Sequence, residues 1–71
     1  MSNSMTDTVK ESVQQKIKAM EKKLEAERAE ADKKVAEAES EQALAAAKEQ
    51  AKNKVQQIER QISELKNKLS S

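Results

Sequence analysis

The sequence predicts an all-α protein whose simplest architecture is an antiparallel helical hairpin or coiled coil. Three observations point there. None of the 71 residues is Gly, Pro, Cys or aromatic, so the residues that usually punctuate a helix are missing. Ala, Glu, Lys, Gln and Leu dominate, and these are strong helix formers. The large apolar residues also form two stripes that mirror each other. Val9 and Leu69, Val13 and Leu65, and Met20 and Ile58 each have residue numbers totalling 78. Ile17 and Ile62, Leu24 and Val55, and Val35 and Leu44 total 79. A near-palindrome about Glu39 and Ser40 is what antiparallel pairing would write into a chain.

Residues 1–7, MSNSMTD, are polar and short, and are expected to be a disordered N-terminal segment. A helical coiled-coil region is expected over 8–71, with a turn near 38–41 dividing it into helices of about 8–38 and 41–69. Helix entry falls between Thr6 and Thr8. Thr8-Val9-Lys10-Glu11 fits a capping box, in which the hydroxyl accepts from the N3 amide and the glutamate reaches back. Ser4-x-x-Asp7 is the weaker alternative.

From Val9 to Leu24 the apolar spacings are 4, 4, 3 and 4, and Ala31, Val35 and Ala38 continue the stripe on the same face. Several of these positions recur at eleven residues, the spacing of a nearly straight or slightly right-handed helix.

The central run Ala36 to Ala47 holds Leu44 as its one large apolar residue. Ser40 can cap a second helix, with Glu41 in its first turn, where an acid is favoured. Against a turn, Glu37 and Glu39 would sit at a helix C-terminus, where acids are disfavoured, and no Gly is at hand for a left-handed cap.

Beyond it, Ala51, Val55, Ile58, Ile62, Leu65 and Leu69 follow heptad spacing. On one ideal helix the two stripes would point roughly 160° apart at about 100° per residue. The chain therefore reverses near Ser40, or remains one continuous long helix in a coiled-coil assembly, using opposite faces or adjusting its winding in the Ala-rich centre.

Chemistry is excluded more readily than function is assigned. With no His and no Cys, neither a zinc site nor a thiolate nucleophile is expected. The serines have no histidine base, so no catalytic residues, no cofactor and no small-molecule substrate are expected, and the protein is read as non-enzymatic. Glu37, Glu39 and Glu41 lack the Gly and converging oxygens of a cation loop. Lys16, Lys18, Lys22 and Lys23 scatter around a helix as a solvated flank, and without aromatic residues nucleic acid is not an expected partner. Gln56, Gln57 and Gln61 fall on the surface beside the stripe.

Fourteen basic groups balance thirteen acidic ones. This charge balance, with no long apolar run, makes a membrane partner unexpected as well. The cytoplasm is the expected location by elimination, as no secretory signal core is seen.

What remains is the amphipathic stripe. Val9, Val13, Ile17, Met20, Leu24, Val35, Leu44, Val55, Ile58, Ile62, Leu65 and Leu69 form the expected interaction seam. These twelve large side chains are few for a chain of this length to order by itself. Coiled-coil self-association or binding to another helical protein, in a structural or scaffold role, is therefore the expected function. The Ala-, Lys-, Glu- and Gln-rich character with eleven-residue spacings also resembles the late-embryogenesis-abundant stress proteins, though no consensus repeat recurs intact. That resemblance implies a hydrophilic protectant, disordered when dilute and helical on drying or crowding.

Overall fold

The computed structural model describes residues 6–70, and among them the chain is a helical hairpin. Helix α1 spans Asp7–Glu37 and helix α2 spans Glu41–Ser70. The two pack side by side into a slab whose principal extents are 60 × 15 × 9 Å. The alternative of one continuous helix is thereby set aside.

The expected helix at 8–38 begins and ends one residue earlier, and that at 41–69 runs one residue further. Thr6, not Thr8, caps α1. Its hydroxyl accepts from the Val9 amide at 3.3 Å, its carbonyl accepts from Lys10, and Thr8 lies inside the first turn. Asp7 follows with an acid in that turn, where the helix dipole favours it. Thr6 and Asp7 therefore belong to the helix and its cap, not to a disordered N-terminal segment. Residues 1–5, including the alternative cap Ser4, lie outside the described residues.

The reversal needs no glycine because it never enters the left-handed region. Ala38 closes α1 in an extended conformation at φ −65° and ψ 128°, its amide donating to the Val35 carbonyl at 3.3 Å. No described residue has positive φ. Two residues later Ser40 restarts the helix, accepting from the Ala43 amide at 3.0 Å through its hydroxyl and from the Leu44 amide at 2.9 Å through its carbonyl. Lys34 in the last turn of α1 offsets the unfavourable position of Glu37 against the dipole.

The enclosed positions correct the register. From Val13 to the cap Ala38 the buried or half-buried residues of α1 and its cap are 13, 17, 20, 24, 27, 31, 35 and 38, with Lys10 half-buried before them; on α2 they are 44, 47, 51, 55, 58, 62, 65 and 69. Taken from opposite ends, each pair totals 82, not 78 or 79. The helices are thus offset by about one turn from the pairing read from the large apolar residues. The cause lies in the linker, since extended residues advance about 3.3 Å each against about 1.5 Å in a helix. They carry the chain past the end of α1, so the first turn of α2 overhangs it.

In this register four layers form the core. Val13, Ile17, Ile58 and Ile62 are buried, and partly buried Leu69, Leu65, Leu24 and Met20 pack against them. Each layer sets one β-branched side chain against a Leu or Met that is not branched at Cβ: Val13 with Leu69, Ile17 with Leu65, Met20 with Ile62, and Leu24 with Ile58. Toward the turn the layers thin to Ala31 with Ala51 and Val35 with Ala47. The apolar core therefore sits at the open end, while the turn end is held largely by the short connection.

Candidate interaction surface

Eleven of the twelve expected seam residues lie on the contact face of the hairpin. Four are buried and Met20, Leu24, Val35, Leu44, Val55, Leu65 and Leu69 are half-buried. Val9 is the exception, with 46% of its surface exposed. Two successive steps of four carry it about 80° around the helix from Ile17 at about 100° per residue, so it falls on the shoulder. Lys10, three residues before Val13, is half-buried instead.

Composition alone passes over Glu27, which is half-buried between Leu24 and Ala31. The signal that finds it is spacing, since 24, 27 and 31 continue the alternation of three and four.

The two sides of the seam differ. Along one side, Arg28 pairs with Glu59 at 3.1 Å and Lys66 approaches Glu21 at 4.0 Å. Both pairs have residue numbers totalling 87, and their members are seven apart on each helix. They also support the register. With a total of 82, Glu59 lies about five residues, roughly 7.5 Å, along the axis from the level of Arg28, within reach of two long side chains. With 78 or 79 the offset would be roughly 13 Å. All four side chains are about half exposed, so each pair contributes at most about 1 kcal/mol. Nearer the turn this side opens into a groove of about 510 Å³ rimmed by Arg28, Asp32, Lys48 and Lys52.

Along the opposite side, at the open end, lies a groove of about 450 Å³. Ala19, Met20 and Leu65 line it, with Lys16, Gln61, Glu64 and Lys68 at its rim. The small Ala19 side chain leaves the flanks of Met20 and Leu65 uncovered on this side.

Among the described residues no group of His, Cys, Asp or Glu is arranged to hold a metal ion, and no helix is long and apolar enough to cross a membrane. The surface can bury apolar area and match charges. No protein-family model, curated protein or solved structure matches the chain.

Proposed function

We propose that the hairpin works by helix–helix association, as a non-enzymatic structural element that packs against a second helical surface. One observation carries this reading: the core is half finished. Among the described residues only four side chains are buried, and the Leu and Met residues packed against them remain partly exposed. Domains ordinarily enclose a core between packed layers, and a single helical pair supplies one layer. Covering those residues would add apolar burial at about 25 cal/mol per Å².

Association stabilises the folded state by mass action, so the melting temperature is expected to rise with protein concentration. Thermal melts by circular dichroism over a hundredfold concentration range, with sedimentation equilibrium alongside, measure both. A helical protein with rising melting temperature and mass supports the reading. A helical monomer whose melting temperature never moves, with no gain on adding a helical partner, refutes it. A chain that is coil in plain buffer and helical only on dehydration would favour the protectant instead.

A further inference from the structure

Resting on that association reading, we infer that the partner is a second copy of this chain, docked on the groove side of the seam so that α1 of each copy lies against α2 of the other. The two sides offer different surfaces. One carries the Arg28–Glu59 and Lys66–Glu21 pairs, with a groove reaching Ile17 at the open end and another, lined by Ala31, Val35, Ala51 and Val55 within a charged rim, nearer the turn; long polar side chains flank the seam along this side. The other presents Ala19, Met20 and Leu65 in a groove, and Ala26 continues this side seven residues beyond Ala19. Small residues there let a second pair of helices approach closely, completing a four-helix bundle.

Area agrees with the need for such a layer. A compact monomer of 7.9 kDa exposes roughly 4,400 Å². The hairpin exposes 5713 Å². The excess exceeds the roughly 800 Å² that each partner loses in a standard interface. A second hairpin matches the slab along its whole length, and a net charge of +1 sets little long-range repulsion between copies.

Charge selects the arrangement. With a two-fold axis along the hairpin, α1 of one copy faces α2 of the other at the same height. Glu30 then lies within two residues of the level of Lys54 in the second copy, and Lys16 falls midway between Glu64 and Lys68, so that one attraction and one repulsion offset there. Lys23 meets the neutral Gln57 and Gln61. With the axis across the hairpin, α1 faces α1 and Lys23 is set near its own copy, which like-charge repulsion disfavours.

The test compares one substitution on two faces of α1. Ala19→Glu places a carboxylate in the groove, whereas Ala29→Glu places it on the outer face; both alanines are exposed in the single hairpin. Sedimentation equilibrium should give a dimer for the wild type and for A29E. A19E should weaken dimerisation at least about tenfold, because a longer, charged side chain fills the groove and must lose its water where the two copies close up, while keeping its helical circular dichroism.

Arrangement is read separately by mixing chains carrying Ala19→Cys with chains carrying Gln61→Cys and adding a short bismaleimide. Crosslinked heterodimers in excess of either homodimer support α1 on α2. A monomeric wild type overturns self-association itself. A wild-type dimer that A19E and A29E weaken equally, or whose A19C chains crosslink chiefly to each other, overturns the face or the arrangement while leaving self-association standing.

Discussion

Ile58 keeps only 4% of its surface exposed, the least of the four buried residues. It sits level with Leu24, so truncation would open a space that a half-exposed leucine fills incompletely. Ile58→Ala is expected to cost about 2–5 kcal/mol, at the lower end where the neighbour collapses inward. Lys22 lies on the exposed surface, and Lys22→Ala should change stability within about 0.5 kcal/mol. Urea unfolding of both variants checks the contrast; equal losses would mean that the buried layers are not what holds the hairpin together. Val9 marks the limit of reading single residues. Its apolar character suggested the seam, but its angular position exposes it. Glu27 has the opposite history: a charged residue at a seam spacing.

At the scale of elements, the two helices differ little in propensity from the segment that joins them, and Ala38, Glu39 and Ser40 include no obligate breaker. Ser40 is the local determinant, with its hydroxyl and carbonyl both engaged in starting α2. Ser40→Ala is expected to lose about 1 kcal/mol, the usual worth of an N-cap. Ser40→Asp, which keeps an acceptor and adds a favourable charge, should restore most of that loss. Chemical denaturation of the pair decides it, and an unaffected Ser40→Ala would show that the extended linker alone sets the helix start.

The existence of the turn and its position were legible, because the opposed stripes and the mirror pattern both placed it near Ser40. The register was less so. Taking the exposed Val9 as the first rung shifts every pair by one position, whereas starting from Val13 the large apolar pairs Val13–Leu69, Ile17–Leu65, Met20–Ile62 and Leu24–Ile58 themselves total 82. The overhang of α2 follows from backbone geometry in the linker, which side-chain periodicity does not encode. The ion pairs had a readable signal, since Glu21 with Lys66 and Arg28 with Glu59 share one total. Its meaning depends on knowing the axial offset first.

At the scale of the molecule, the hairpin joins a well-filled open end to an alanine-lined turn end. This distribution suits the connection: a three-residue linker keeps the turn end together at little entropic cost, so the larger side chains are needed where the chain ends would otherwise separate. It also sets the larger partly exposed side chains, Met20 and Leu65, in a groove at the open end, while the groove nearer the turn is lined by alanine and valine.

The central claim is that one chain folds back on itself, and an intramolecular distance tests it most directly. Cysteines replacing Thr8 and Ser70 are spin-labelled, and the labelled protein is diluted into excess unlabelled protein so that only pairs within one chain contribute. In the hairpin these sites lie at the same end of two helices whose axes are about 8–10 Å apart. The expected distribution is centred below about 30 Å, allowing for the label arms, and is unchanged by dilution. A straight helix would separate the sites by roughly 93 Å at about 1.5 Å per residue. A distribution centred beyond about 60 Å would contradict the hairpin.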